Sequence, residues 1–333
     1  MKPRWNVGDP GYDAAVGDPA SYINDEPMLA YRTEVGEAWL GDSVETMDAH
    51  IDDESVDLIV TSPPFALQRP KEYGNESQDA YKEWFLPFAD ECWRVLKPTG
   101  SLVIDLGGAW EAGQPVKSIY QFELLVTLCR RPTRPFVLAQ DFYWYNPARL
   151  PSPAQWVTVK RVRVKDAVNY IWWLAKTPHP NADNSRVLRE YTPSMKRLID
   201  SGGVYNRGRR PSGHVVREGF TEEHDGAIPP NLLSISNTGN DRGYLDTCKQ
   251  RSLRAHPARF PAEIPDFFIR LLTEPADLVL DPFAGSNVSG AVAESLDRKW
   301  ISIDIDEEYV RGSMARFDEQ QLRRVSERLK SRG

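Results

Sequence analysis

The sequence predicts an α/β fold in which helices pack on a mostly parallel sheet. Short apolar runs, among them Val56–Val60 and Leu278–Leu280, have the length and composition of buried strands. Segments with a helical spacing of apolar residues lie between such runs, and Gly, Pro or acidic residues end them. The chain has 333 residues, which allows two ordinary domains or one α/β domain with an insertion.

The individual elements follow from apolar periodicity and from the residues that interrupt it. Gly36–Leu40 is predicted to be a strand, after which Ser43 could cap a helix over 44–50. Further helices are predicted at 81–97, 116–129, 192–199, 265–272 and 288–296, and further strands at 101–106, 136–144, 167–175 and 299–304. In the helix over 116–129 we expect an inward face of Phe122, Leu125, Val126 and Cys129. The segment from Glu307 onward is predicted to be a charged, solvated helix.

The first candidate site follows the strand over 56–60 and reads Thr61-Ser62-Pro63-Pro64-Phe65. Two consecutive prolines force an extended, stiff exit from the sheet and leave only carbonyl acceptors on the backbone. A serine hydroxyl and an aromatic face stand beside them. This set could hold a planar ring bearing an amine, although an isolated Ser-Pro-Pro is more often a turn that merely ends a strand.

The second candidate site is the strand and turn Leu278–Asn287, in which an acid, Asp281, is followed by a turn of small residues and a helix. Ligands of open α/β sheets bind beyond the carboxyl ends of the strands, where glycine permits close approach. The next strand ends in Asp304, at the spacing of an acid that binds ribose hydroxyls. An ordinary crossover with solvated acids would show the same pattern.

Together the two sites resemble the amino-directed DNA methyltransferases, and more closely their cytosine N-4 group from restriction-modification systems. Similar stretches run in order from about Tyr31 to Tyr309. They are residues 61–69, 141–144, 163–169, 228–233 and 255–262. The resemblance implies a Rossmann-like, S-adenosylmethionine-dependent methyltransferase sheet that is circularly permuted, with the catalytic half before the cofactor half and a target-recognition region inserted between them.

The resemblance also implies roles for single residues. The catalytic residues would be Ser62, Pro63, Pro64, Phe65 and Asp105. We expect the strand that ends at Asp105 to lie beside the one that carries Ser62, and the resemblance places this carboxylate within reach of the serine. On its own, an acid before Gly107-Gly108 is more often a turn residue. The S-adenosylmethionine-binding residues would be Asp42, His256, Arg259, Phe260, Asp281, Pro282, Phe283, Gly285, Ser286, Asn287 and Asp304. Asp42 could equally be a helix N-cap. Asn287 stands where many relatives have glycine, but asparagine tolerates left-handed backbone.

The implied organisation has four parts: an irregular arm over 1–30, the catalytic half over 31–176, the recognition region over 177–255 and the cofactor half over 256–333. Residues 1–60 carry a charge balance of −11, whereas residues 130–217 carry +12. This asymmetry favours a face that binds double-stranded DNA. The candidate DNA-binding residues are Arg207, Arg209, Arg210, Ser212 and His214; a disordered linker is the alternative for this stretch.

The remaining composition limits the chemistry and the location. The three cysteines form no CxxC motif, none follows a proline as methylation at a ring carbon would require, and the five histidines have no metal-ligand spacing. No signal segment or membrane-length apolar run is present, so we expect a cytoplasmic protein. A cognate restriction endonuclease acting on the same site is a possible partner. Adenine N-6 methylation and a non-catalytic DNA-binding relative remain the alternatives.

Overall fold

A computed structural model describes residues 26–66, 76–202, 222–237, 241–259, 261–318 and 322–324. The strands are β1 (Met28–Arg32), β2 (Gly36–Leu40), β3 (Val56–Thr61), β4 (Leu96–Leu106), β5 (Val137–Tyr145), β6 (Val168–Ala175), β7 (Leu232–Ser234), β8 (Leu278–Asp281), β9 (Lys299–Asp304) and β10 (Arg323–Arg324). The helices are α1 (Ser43–His50), α2 (Tyr81–Val95), α3 (Tyr120–Arg130), α4 (Pro193–Asp200), α5 (Arg242–Gln250), α6 (Glu263–Leu272), α7 (Val288–Ser295) and α8 (Glu307–Ser313).

All the strands named above join one sheet, in the order β10-β1-β2-β9-β8-β3-β4-β6-β5-β7. The central strands β2, β9, β8, β3 and β4 are parallel, while β6 runs antiparallel to β4 and to β5. The predicted α/β fold is therefore confirmed. The order also places β3, from the first half of the chain, directly between β4 and β8.

The apolar side chains form a core on each face of the sheet. One core contains Phe85, Leu124 and Trp172 and is covered by α1, α2 and α3. The other contains Phe268 and Trp300 and is covered by α6 and α7. With helices on both faces, the sheet can present polar groups only at its ends. Within the described residues, no helix combines the length and the apolar character needed to cross a membrane.

Two predictions about helices were wrong. In α3 the buried residues are Tyr120, Gln121, Leu124 and Leu128, whereas Phe122 and Val126 are exposed. The segment after Glu307 is not simply solvated, because Tyr309, Val310 and Met314 are buried. In both cases the packing of an apolar side chain on the sheet selects a face that periodicity alone does not identify.

The region over 177–255 contributes to the sheet as well as to the surface. β7 pairs with β5, so this region reaches the main sheet, and α5 packs on a single helical turn over 314–316. Neither β7 nor α5 was predicted. β1 begins at Met28, earlier than the expected end of the arm. Most of the predicted arm, the segment over 67–75, Arg207, Arg209, Arg210, Ser212, His214 and Phe260 lie outside the described residues.

Candidate active site

Three strand ends, those of β8, β3 and β4, lie side by side and bring the two sequence motifs together. The chain leaves β3 at Thr61, whose register partner on β4 is Ile104. The next residues on each strand therefore meet, and Ser62 Oγ donates a hydrogen bond of 3.2 Å to Asp105 Oδ2. The predicted proximity of these two side chains is thus present in the structure.

Asp105 is 3% exposed, and this burial dominates its electrostatics. Burial raises the pKa of the carboxyl group from 3.8 to about 7, while Ser62, the Asn169 amide and the Arg149 guanidinium favour the charged form. Arg149 Nη1 donates to Asn169 Oδ1 over 2.8 Å, which fixes that amide. Asp105 Oδ1 has no hydrogen-bond partner among the described residues. Asp105 can therefore change protonation near neutral pH.

Two buried tyrosines hold the Ser-Pro-Pro-Phe turn and the glycine on which its phenylalanine packs. The Tyr81 hydroxyl donates to the Pro64 carbonyl over 2.8 Å, and the Tyr120 hydroxyl donates to the Gly107 carbonyl over 2.5 Å. The half-buried Phe65 ring lies against Gly107, where an added Cβ would come within 2.4 Å of it. No donor to the Pro63 carbonyl is found in the described part of the chain. This carbonyl therefore remains as an acceptor beside Ser62.

Asp281 connects the two halves of the site. Its carboxylate accepts from Thr61 Oγ1 over 2.6 Å, from Ser289 Oγ over 2.7 Å and from the Phe283 N–H over 3.1 Å. Burial raises the pKa of this group, and the three donors oppose the shift. Asp281 thus holds the end of β3, the turn after β8 and the start of α7 in one arrangement, rather than pointing into open space.

The turn after β8 has the backbone geometry expected of a ligand-binding turn. Gly285 has a φ of +51°, and a Cβ there would come within 3.2 Å of the His256 ring. Its N–H donates to Asp304 Oδ2 over 2.7 Å, while Asp304 Oδ1 accepts from the Asp306 N–H over 2.9 Å. Burial, more than any neighbouring charge, raises the pKa of Asp304 to about 6. His256, Gly285 and Asp304 therefore lie together.

Side chains of α1 and α2 also support the turn after β8. The Pro282 carbonyl accepts from Ser43 Oγ over 2.5 Å, and Phe283 packs on Phe88 with ring centroids 4.9 Å apart. Asp42 is the N-cap of α1, since its Oδ1 accepts from two backbone N–H groups of the first turn. The suggestion that Ser43 caps this helix was therefore wrong, and the alternative of an N-cap at Asp42 is confirmed.

Asn287 has a left-handed backbone, with φ of 54° and ψ of 45°, as its tolerance of that region allows. Its side chain is buried: Oδ1 accepts from the Gly290 N–H and from Ser302 Oγ, and Nδ2 donates to the Tyr31 hydroxyl. This asparagine therefore caps α7 and joins it to β1 and β9. A glycine could adopt the backbone but could make none of the side-chain hydrogen bonds.

An arginine that the sequence did not single out reaches the turn after β8. Arg316 Nε donates to the Ser286 carbonyl over 2.7 Å, and its Nη1 donates to Asp241 Oδ1 over 2.7 Å. Arg259 Nε donates to the same carboxylate over 2.5 Å. Arg259 is thereby directed to Asp241 at the start of α5. Burial lowers the pKa of the neighbouring His256.

A separate cavity of about 480 Å³ lies between β5, β6 and α6, beneath Ile228 and Pro229. Its wall contains Gln140 and Trp173, from the halves of these strands that are remote from Asp105. It does not include Ser62 or the turn after β8.

Comparison with known proteins now places this geometry in a family. Residues 56–315 match the family model for N-6 and N-4 methyltransferases, which is described as DNA methylase. The chain belongs to the DNA methylase family. The match spans both the Ser62 motif and the turn after β8.

Individual relatives agree with this assignment. The type II methyltransferase M.PvuII of Proteus hauseri is 51% identical over 289 residues, which cover 86% of this chain and 85% of that protein. The solved structure of the PvuII DNA methyltransferase, described as cytosine-N4-specific, has a TM-score of 0.70 and 45% identity over 90% of this chain and 91% of that one. A Thermus thermophilus protein that is described as a DNA modification methylase and was solved with S-adenosyl-L-methionine shares the fold at 19% identity. Its TM-score is 0.52, with coverage of 85% of this chain and 93% of that one.

Arg149, Asn169, Asp241 and Arg316 are among the residues near the site of this DNA methylase that were not in the predicted set of site residues. Asn169 could have been noticed, because it is a polar residue in the otherwise apolar strand run over 167–175. The other three lie in segments without regular periodicity or in a charged segment near the carboxyl terminus, and only the three-dimensional structure brings them to the site.

Proposed function

We propose that this chain is a DNA methyltransferase that transfers a methyl group from S-adenosylmethionine to the N-4 amine of a cytosine in duplex DNA. The observation that carries the proposal is the Ser62–Asp105 hydrogen bond at the end of β3, beside the turn after β8. The relationship to a cytosine-N4-specific enzyme at 45% identity favours cytosine over adenine.

The residues around the turn after β8 suit S-adenosylmethionine, which supplies a methyl group on a positively charged sulfur. The left-handed Gly285 allows the backbone to approach a ligand closely. Asp304 accepts one backbone hydrogen bond at each oxygen, and the second lone pair of each oxygen suits a ribose hydroxyl. His256, Pro282, Phe283 and Ser286 line the same turn. We propose that Asp281, Asn287, Arg259 and Asp42 act as positioning residues, because their side chains hold this turn and its surroundings.

The target cytosine must leave the duplex, because a stacked and paired amine cannot be reached. We propose that the half-buried Phe65 stacks on the extruded ring. The two amine hydrogens would then be accepted by Ser62 Oγ and by the Pro63 carbonyl, which has no other donor among the described residues. Both acceptors draw the nitrogen lone pair out of conjugation with the ring, which makes the nitrogen more nucleophilic.

The proton released by the methylated amine needs an acceptor, and the Ser62–Asp105 pair can provide one. As the new N–C bond formed and the bond between the methyl group and sulfur broke, leaving a neutral thioether, the N–H bond would break and its proton would move to Ser62 Oγ, while the hydroxyl proton of Ser62 would move to Asp105 Oδ2. With a pKa of about 7, Asp105 can take up this proton and release it to solvent afterwards. Arg149 and Asn169 would be positioning residues for Asp105.

The type II relatives support a proposal for the wider biological role. We propose that the region over 177–255 reads the target sequence through Arg207, Arg209 and Arg210, with Ser212 and His214 nearby, because arginine is the commonest bidentate reader of guanine in the major groove. Methylation would protect the site from a cognate restriction endonuclease. Replacement of the three arginines by alanine should impair DNA binding while S-adenosylmethionine binding persists.

Nucleoside analysis of DNA from cells that express the chain tests the proposal directly. N-4-methylcytosine is expected. N-6-methyladenine would instead show that adenine is the substrate, and unmodified DNA would contradict the proposal. Single-turnover methylation by Ser62→Ala should be slowed while cofactor and duplex affinity persist. Asp105→Asn should affect the same step, and the double variant should lose less than the two single losses combined. A folded Ser62→Ala protein with the wild-type rate would exclude the mechanism.

A further inference from the structure

The connection between β5 and β6, residues 146–167, lies at the same end of the sheet as Ser62. β6 runs antiparallel to β4, and its register pairs Tyr170 with Leu106 and Ile171 with Asp105. The end of β5 and the start of β6 therefore meet at the carboxyl end of β4. This connection, which we call the β5–β6 loop, consequently rises beside the place where a target base would enter.

The base of the loop is anchored to the site. Arg149 donates to Asn169 beside Asp105. Arg163 Nη1 donates to the Pro115 carbonyl over 2.9 Å, and its guanidinium lies 3.7 Å from the centre of the Trp110 ring. Lys165 Nζ donates to the Pro147 and Arg149 carbonyls. These three cations are used within the protein and fix the orientation of the loop.

Two further cations in the loop are not held by side-chain hydrogen bonds or ion pairs within the described residues. Lys160 and Arg161 are both exposed, and neither has a carboxylate partner within the part of the chain that the structure describes. Lys160 Nζ lies 5.0 Å from the centre of the Trp156 ring. Across the whole loop five Lys or Arg residues accompany a single acid, Asp166. Such a charge excess suits phosphate groups.

Apolar side chains beside these cations are exposed as well. Val162 and Val164 are 60% and 84% exposed, and Val159 is 74% exposed. Isolated exposed valines are common, but three of them on one anchored loop at the site, between exposed cations, need a reason. Proteins that distort or open a duplex place apolar side chains against unstacked bases and cations against the flanking phosphates.

We infer that the β5–β6 loop is a second DNA-contacting surface, distinct from the recognition region. Lys160 and Arg161 bind phosphates next to the target nucleotide, and Val162 and Val164 contact the bases exposed when the cytosine leaves the stack. This inference rests on the proposed function, because it needs a duplex substrate and an extruded base.

The charges are tested by a matched pair of variants. Lys160→Gln with Arg161→Gln removes two exposed cations from the loop, whereas Arg130→Gln with Lys299→Gln removes two exposed cations near the opposite end of the sheet. The loop variant should weaken duplex binding and make the slope of log affinity against log salt shallower by about two, because each lost phosphate contact removes about 0.9. The control variant should keep the wild-type slope. Equal slopes for the loop variant and the wild type, or equal changes in both variants, would overturn the inference.

The valines are tested by substrate rather than by salt. Val162→Ser with Val164→Ser should slow single-turnover methylation of a paired cytosine several-fold, yet leave methylation of a cytosine opposite an abasic site nearly unchanged, because that base costs less to extrude. Equal slowing on both substrates would refute contact with the exposed bases. If the wild-type protein methylates neither substrate, the proposed function fails instead, so the two failures are distinguishable. Thermal melts of every variant identify any loss of folding.

Discussion

Replacement of Arg149 by glutamine should shift the pH dependence of methylation to higher pH. The structure places Arg149 behind Asn169 and next to the buried Asp105, whose charged form this guanidinium favours. If Asp105 must be ionised to accept the proton from Ser62, the wild-type rate should rise with pH with a midpoint near the pKa of about 7. Loss of the positive charge raises that pKa further, so a higher pH is needed to ionise Asp105.

The size of the effect follows from the geometry. One positive charge separated from the carboxylate by a single amide contributes on the order of one pKa unit at the dielectric typical of such sites. Starting from about 7, this shift would reduce the ionised fraction at pH 6.5 about eightfold and at pH 8.5 by less than about one third. The defect should therefore be large in acid and nearly absent in base.

Single-turnover methylation with saturating cofactor and duplex, measured from pH 6 to pH 9, provides the assay. Arg149→Lys keeps a positive charge and should restore much of the wild-type profile, and Arg130→Gln is the control for removal of a distant exposed cation. An Arg149→Gln rate that falls equally at every pH would indicate a structural role only. An unchanged midpoint would refute the assignment of Asp105 as the proton acceptor.

Three further predictions follow. Asp304→Ala should weaken S-adenosylmethionine binding, since each charge-assisted hydrogen bond contributes about 1.5–3 kcal/mol. Calorimetry is the measurement, and Asp306→Ala, two residues further along the chain, is the control. Equal affinity of Asp304→Ala and wild type would contradict the assignment. Gly107→Ala should displace the Phe65 ring, which a Cβ would approach within 2.4 Å, and so slow methylation without weakening cofactor binding. Gly243→Ala, with open space around it, is the control and should leave the methylation rate unchanged. A normal Gly107→Ala rate would show that Phe65 does not need this position. Asp105→Asn should stabilise the fold at high pH, because the folded pKa of about 7 exceeds the ordinary 3.8. Ionisation of the wild-type carboxyl group therefore lowers the free energy of unfolding by nothing below pH 4 and by up to about 4 kcal/mol above pH 7. A difference in the free energy of unfolding between variant and wild type that does not grow over this range would be inconsistent with the raised pKa.

The strand ends of this protein were predictable from sequence because their chemistry is local. A proline pair, an acid after an apolar run and a glycine turn each restrict the backbone regardless of what surrounds them. The meeting of Ser62 with Asp105 then needs only that their strands be neighbours and parallel. That much was predicted, and the register of β3 with β4 agrees with it.

The buried face of α3 was not predictable in the same way, because both of its faces are rich in apolar residues. The stripe with Phe122 and Val126 fits a helical period as well as the stripe with Leu124 and Leu128. The structure buries the second stripe, where Leu124 and Leu128 join the core on that face of the sheet. Tyr120, the first residue of α3, lies on the same face and donates its hydroxyl to the Gly107 carbonyl. Long-range packing, which periodicity does not contain, thus sets the rotation of the helix.

Arg316 and Asp241 were missed for a related reason. Each lies in a segment whose charged residues look like solvated surface, and they are 75 positions apart in the chain. Their role appears only when the burial of Tyr309, Val310 and Met314 draws the segment after Glu307 onto the core. Charge patterns alone could not have distinguished this arginine from the exposed ones around it.

The position of β3 between β4 and β8 has a consequence for synthesis of the chain. The Thr61–Asp281 hydrogen bond joins residues 220 positions apart, so translation at about 5–20 residues per second leaves one edge of β3 unpaired for about 10 to 45 seconds. An unpaired central strand is a site for association with other chains. We therefore expect nascent chains to depend on chaperones during this interval, and prematurely terminated products to be both inactive and prone to aggregate. A cell would gain methylation of its genome only from chains that have been translated almost to the end.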